Sequence, residues 1–147
     1  MAARILPAHV TDIQQVLADH ARYWGDRDTR ALHLLPLVHE FGPTCLVARS
    51  DDGILGYLLG FVTPDGTGYV HVVATRDDAR GIGLGRALYA AFAEAARRQG
   101  AVRLKAITTV GNEGSVAFHR RLGFVVRLEE AYNGPGQPRM VFTRTEI

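Results

Sequence analysis

Three glycines spaced two apart, in the run Arg80-Gly81-Ile82-Gly83-Leu84-Gly85-Arg86, stand where a helical pattern is about to begin. The first amides of an α-helix have no partner inside the helix, and glycines offer no side-chain oxygen to accept from them. A glycine-lined turn at the positive end of a helix dipole suits a phosphate or pyrophosphate, because an oxygen can approach the bare backbone closely. The alternative is that the glycines serve only a tight turn and close strand-to-helix packing. Neither standard glycine loop fits. The dinucleotide fingerprint G-x-G-x-x-G needs a glycine where Arg86 stands, counting from Gly81, or where Leu88 stands, counting from Gly83. A nucleotide P-loop needs Gly-Lys-Ser/Thr, and this loop has no lysine.

Two histidines lie in patterned segments, His71 in "YVHVVAT" and His119 in "AFHRRLGF", and imidazole exchanges protons near neutral pH. Strand alternation places residues 69, 71, 73 and 75 on one side, with Tyr69 a same-face neighbour of His71. A hydrogen-bonded structural histidine is the other reading of His71. Tyr23 and Trp24 before "GDRD", and Tyr132 in "AYNGPGQP", are loop-borne aromatics able to line a pocket or to pack at the core's edge. The "HEFGP" run at His39 lacks the second histidine of a zinc-protease helix, since Pro43 takes its place, and no metal site is expected. Cys45 is the one cysteine; it excludes an intramolecular disulfide and reads as a small apolar strand residue.

These residues need elements to hold them. "ARIL" reads as a short strand, and "TDIQQVLADHARYW" as a helix capped by Thr11 or Asp12 with Ile13, Val16, Leu17 and His20 on one face. A less regular helix is expected from Thr29 to Glu40, bent or broken at Pro36. "TCLVARS", "GILGYLLGFV" and "TGYVHVVATR", separated by "DDG" and "PDGTG", predict three strands joined by hairpins. Leu84, Leu88, Ala91, Phe92 and Ala95 keep helical spacing from Gly83 to Gln99, with Gly100 placed to close the helix. Strand "AVRLKAITT", a helix from about Asn112 to Leu122, and strands "FVVRL" and "PRMVFTR" complete a mixed α/β (α+β) order.

Composition bounds the rest. A chain of 147 residues, 47% hydrophobic and 22% charged, is expected to be one globular domain, 1–147, burying roughly 70% of its unfolded surface. Net charge is +2 with no run of five basic residues, so nothing marks a nucleic-acid partner. No segment reaches the 18 apolar residues of a membrane span and the start lacks a signal-peptide core, so a cytoplasmic protein is expected.

The run Arg80-Gly81-Ile82-Gly83-Leu84-Gly85 resembles the Arg/Gln-x-x-Gly-x-Gly/Ala signature of the GNAT superfamily of N-acetyltransferases, and "NEGSVAFHRRLGF" resembles that family's second motif of Asn, a small residue, an aromatic pair and Leu-Gly-Phe. With the strand before and the helix between, the resemblance covers roughly residues 69–124. It implies a GNAT-like, mostly antiparallel central sheet with a strand–helix–strand acetyl-CoA-binding unit. It implies that the backbones of Val73 and Thr75 pair with the pantetheine arm as an added strand would. The amides from Arg80 to Arg86 would hold the pyrophosphate, Asn112 would hydrogen-bond acetyl-CoA as well as cap its helix, and Phe118 would pack beside it. Arg120 or Arg121 would meet the nucleotide phosphates or stay in solvent. The family often uses a tyrosine to protonate the departing thiolate; here His119 stands in that place, either taking over the role or leaving it to water or the product amine. His71 is the candidate base.

The function expected is acetyl transfer from acetyl-CoA to a primary amine by direct attack in a ternary complex, the acceptor and the acyl chain length staying open. The competing expectation is a non-catalytic acyl-CoA sensor, motivated by the missing tyrosine. A nucleotide-binding module using the loop for ATP or NAD is a third. Strand edges near the C-terminus are candidates for pairing across a homodimer.

Overall fold

Alternating apolar residues cut by turn-forming runs produce four antiparallel neighbours: β1 (Arg4–Pro7), β2 (Cys45–Ser50), β3 (Gly53–Val62) and β4 (Thr67–Thr75). The computed structural model describes residues 2–147. Three more strands, β5 (Arg103–Thr108), β6 (Val125–Glu129) and β7 (Arg139–Arg144), complete one seven-stranded sheet in the order β1-β2-β3-β4-β5-β7-β6. Only β4 and β5 run parallel. Their connection carries α4 (Leu84–Arg98), which supplies the crossover that a parallel pair requires. The sheet is mixed and mostly antiparallel, as the sequence and the resemblance lead one to expect. At its edge β6 exposes Val125 and Leu128.

Helices cover both faces. On one side α4 lays Leu88, Phe92 and Ala96, all fully buried, over β2, β3 and β4, joined by α5 (Glu113–Arg121). Burying a side chain the size of Leu88 or Phe92 contributes about 1.5–3 kcal/mol. On the other side α1 (Val10–Ala18), α2 (His20–Trp24) and α3 (Leu35–Glu40) close a second cluster around Ile13, Val16, Tyr23 and Tyr57. No helix of the described residues is long and apolar enough to cross a membrane.

The N-terminal segment departs from expectation in three ways. The α1 cap is His9, not Thr11 or Asp12; Asp12 stands at the third helical position, where its carboxylate accepts from the His9 amide at 2.8 Å and also holds Arg49. The single long pattern is split at Asp19 into α1 and α2. Pro36 does not break a helix spanning Thr29–Glu40. A 3-10 turn occupies Arg30–Leu32, and α3 begins afresh with Pro36 in its first turn, where the missing amide hydrogen has no helical partner to lose.

A β-bulge decides what β4 presents. Leu59 pairs with Val72 but Gly60 pairs with Val70, so His71 is the extra residue. Alternation therefore fails at this point: Val70 packs in the cluster under α4, Val72 in the cluster under α1–α3, and Val73 back against the α4 side. The expected common face of residues 69, 71, 73 and 75 does not exist. Tyr69 and His71 remain neighbours, with ring centroids 6.3 Å apart, on the side of the N-terminal segments.

Candidate functional site

A cleft of about 970 Å³ opens where β4 and β5 part. Their pairing ends at Val70 opposite Ala106, although β4 continues to Thr75 and β5 to Thr108. The Arg76 amide donates to the Leu55 carbonyl on β3. In an antiparallel pair successive residues turn their polar groups to opposite sides, so Val73 and Thr75 turn theirs away from β3 and into the gap. An extended chain with its own amides can complete that edge as a strand would.

At the head of α4 the three glycines have two different causes. Gly81 (φ 80°) and Gly83 (φ 85°) adopt left-handed backbone, and a Cβ on either would meet nothing within 4 Å. There it is backbone conformation that excludes a side chain. Gly85 lies inside the helix, and its Cβ would stand 2.8 Å from Phe118 Cζ, so close packing of α4 on α5 excludes one. A tight turn accounts for Gly81 and Gly83, and close packing, here of helix on helix, accounts for Gly85. No side chain caps α4, and among the described residues no protein group accepts from the amides of residues 81–86. Gly81, Gly83, Leu84, Gly85 and Arg86 line the cleft with Arg80 and Arg121. Ile82 does not; its side chain is 66% exposed, so only its backbone is available. Arg120 is exposed and also lies outside the lining.

From α5 come Asn112, Ser115, Phe118 and His119. Asn112 caps the helix, accepting from the Ser115 amide at 3.3 Å and donating to Thr108 Oγ1 at 3.0 Å. His119 is 4% exposed and stacked on Phe142 at 4.0 Å. A carbonyl can only accept, so His119 Nδ1–H donates to Ser115 O at 2.8 Å, and Nε2 accepts a hydrogen bond from the Tyr89 hydroxyl at 2.6 Å. Burial pushes this imidazole down to about 4. At neutral pH it has no proton to release toward the cleft, so the expected general-acid role of His119 does not fit this geometry. Tyr89, whose phenol burial pushes up, was not among the sequence candidates. It lies on the buried face of α4 between Leu88 and Phe92 and reads there as one more core aromatic; its polar partner comes from 30 residues away.

His71 donates from Nε2 to the Leu32 carbonyl at 2.8 Å, which leaves Nδ1 with its lone pair. The ring lines the cleft beside Tyr69, whose phenol burial raises to about 12. Trp24 and Tyr132 also line it. Tyr23 does not: it is 4% exposed, its hydroxyl donates to Ile54 O at 2.7 Å, and it belongs to the core, correcting its place among the pocket aromatics. Behind the wall runs a chain of buried polar groups. Trp24 Nε1–H donates to the Tyr57 hydroxyl at 2.5 Å, the Tyr57 hydroxyl to His33 Nε2 at 2.6 Å, and His33 Nδ1–H to Thr29 O at 2.8 Å. Burial lowers His33 and also His20, whose Nε2 meets Thr29 Oγ1 at 2.9 Å. Cys45 is fully buried with its thiol pushed up by burial, an apolar core residue.

Residues 11–124 match the Acetyltransferase (GNAT) family. An L-methionine sulfoximine/L-methionine sulfone acetyltransferase of Pseudomonas paraeruginosa is 48% identical over 56 residues, 38% of this chain and 33% of that protein. An L-2,4-diaminobutyric acid acetyltransferase of Marinococcus halophilus is 32% identical over 84 residues, 56% of this chain and 49% of its own length. The chain thus spans half or less of the curated relatives it matches. Among solved structures, Ard1 from Thermoplasma volcanium superposes with a TM-score of 0.84 at 20% identity, covering 100% of this chain and 99% of its own.

Proposed function

The chain belongs to the GNAT acetyltransferase family, and on that premise we propose that it transfers an acetyl group from acetyl-CoA to a primary amine of a small molecule by direct attack in a ternary complex. The observation that carries this is the coincidence, in one cleft, of the unaccepted amides at the head of α4 with the open edge of β4 beyond Val70. The first suits a pyrophosphate and the second an amide-bearing arm. Curated relatives that act on small amine-bearing molecules support a small acceptor.

Acetyl-CoA supplies the acetyl thioester. Amides of residues 81–86 hold its phosphates, with Arg86 and Arg121 beside them, and Val73 and Thr75 align its arm. His71 Nδ1 takes the proton that the amine loses as its nitrogen bonds to the acetyl carbon. The carbon–sulfur bond breaks with its electron pair on sulfur, and the thiolate is protonated by water or by the proton His71 has taken up. His119 and Tyr89 act as a fixed pair that holds α5 against α4 and shapes the wall beside Phe118.

Thermal unfolding with acetyl-CoA, CoA, ATP and NAD in parallel tests the first half of the proposal. Saturation at about a hundred times Kd adds roughly 2.7 kcal/mol of stability. A rise with the two CoA species alone is expected, and a rise with ATP or NAD but not CoA refutes the reading. Thiol release from acetyl-CoA across an amine panel tests the second half. Hydrolysis that no amine accelerates would favour the sensor instead.

A further inference from the structure

The walls of the cleft hold five arginines, Arg27, Arg80, Arg86, Arg121 and Arg139, and not one aspartate or glutamate. Arg86 and Arg121 stand together beside the glycine loop, with Arg86 Nη2 donating to the Arg121 carbonyl at 3.4 Å. Arg80 Nη2 donates to the Tyr23 carbonyl at 3.1 Å. The remaining two come from elements that contribute nothing to the loop. Arg27 follows α2 and lies over the Trp24 ring, 5.6 Å from its centroid. Arg139 opens β7, one residue before Met140 pairs with Thr108 at the mouth of β5, and its Nη1 donates to Pro138 O at 2.7 Å. Among the described residues neither guanidinium has a carboxylate within ion-pair distance. Asp26 and Asp28 flank Arg27 in the chain, but Asp28 meets Arg30 at 3.5 Å and neither aspartate lines the cleft.

We propose that the acceptor carries a carboxylate close to its amine, and that Arg27 and Arg139 receive it; this rests on the acetyl-transfer reading above. Phosphates account for the arginines at the loop; Arg27 and Arg139 lie away from it, and although Glu129 stands opposite Arg139 in the β6–β7 register, its carboxylate meets Arg127 at 2.7 Å. A guanidinium presents its donors as a fixed fork that matches a carboxylate, so two that line one cleft without an ion-pair partner suit a planar anion. The same field disfavours a polycationic amine, which would find no carboxylate anywhere in the cleft. Nearby guanidinium charge also favours the neutral over the protonated amine, which is the form that attacks. The bulge at His71 sets the base among the cleft-lining residues with Trp24 and Leu32, so the base and the two arginines share one cavity.

The test measures thiol release from acetyl-CoA by the full chain with three matched series: free L-α-amino acids, their C-terminal amides, and the decarboxylated amines. The expectation is that the best acceptor is a free acid, with kcat/KM at least tenfold above its own amide and amine. The double variant Arg27→Gln/Arg139→Gln should narrow that preference to within about threefold through KM, and leave the thermal shift with CoA unchanged. Each single variant assigns its share. Equal turnover of amides or decarboxylated amines, or a double variant that keeps the full preference, overturns the proposal and leaves acetyl transfer standing. If CoA raises the unfolding midpoint but no amine in any series accelerates thiol release, the transferase reading falls and this one with it.

Discussion

The two ends of the cleft are built from different parts of the chain. At the head of α4 the site is backbone: two left-handed glycines, a helix start without a cap, and a strand edge with free polar groups. On the side of the N-terminal segments, where the proposal seats the acceptor, it is side chain: Trp24, His71 and Arg27 line the cleft, and a relay of Tyr57, His33 and Thr29 fixes the Trp24 ring from behind. A backbone device binds what any residue of the right conformation would bind, and so serves a constant ligand. A side-chain device changes with each substitution, and so serves a particular one.

The largest effect expected falls on the acceptor side. His71→Ala should lower kcat by about 10²–10⁴-fold while the thermal shift with acetyl-CoA persists. Loss of that shift would place His71 in the backbone half and break the contrast.

Acid tests the buried histidine on the α4–α5 side. His119 is held down to about 4 by burial against an unfolded value of 6.5. Above 6.5 the ring is neutral in both states and contributes nothing to pH dependence. Between 6.5 and 4 the unfolded chain binds a proton that the folded one does not, so stability falls as pH falls, by up to about 3 kcal/mol. Urea unfolding at pH 7 and pH 4 measures this, and His119→Phe should remove much of the slope. His20 and His33, also lowered, add a loss of the same sign from the acceptor side.

Tyr57→Phe removes the hydroxyl that accepts from Trp24 and donates to His33. It should cost about 2 kcal/mol in urea unfolding, because both buried partners lose their bond, and should raise KM for the acceptor more than the Kd for acetyl-CoA. Gly83→Val puts a β-branched residue at φ 85°, a strain of about 1–2 kcal/mol, and should weaken acetyl-CoA roughly tenfold or more by calorimetry. The smallest effect is the most pointed: Ile82→Ala, 66% exposed and outside the cleft lining, should change neither affinity nor stability, since on the proposal only the backbone there meets acetyl-CoA. A measurable loss there would mean that side chains matter in the loop after all.

Legibility follows the same division. Left-handed turns demand glycine, so Gly81 and Gly83 announce the loop, and hairpin turns and helical spacing announce β2–β4 and α4. Tyr23 and Trp24 are adjacent in sequence and identical in kind to a reader of patterns. Yet one enters the core and the other the cleft wall, because the short α2 turns successive residues to different sides. Tyr57 meets His33 from 24 residues away and Tyr89 meets His119 from 30, distances at which no local spacing carries information. The bulge at His71 left no mark that alternation could reveal, since an extra residue changes pairing without changing composition.

By itself the sequence determined the order of strands and helices, the loop at Arg80–Arg86 and the second motif around Asn112 and Phe118, because those features rest on short-range backbone requirements that only certain residues meet. Tertiary structure alone decided that His119 is a buried neutral prop, that His71 keeps Nδ1 open, that Tyr23 belongs to the core, and that Arg27 and Arg139 share a cleft without a carboxylate. Each of those depends on burial and on partners brought together by packing the two faces of one sheet, and desolvation and hydrogen bonding act on neighbours in space.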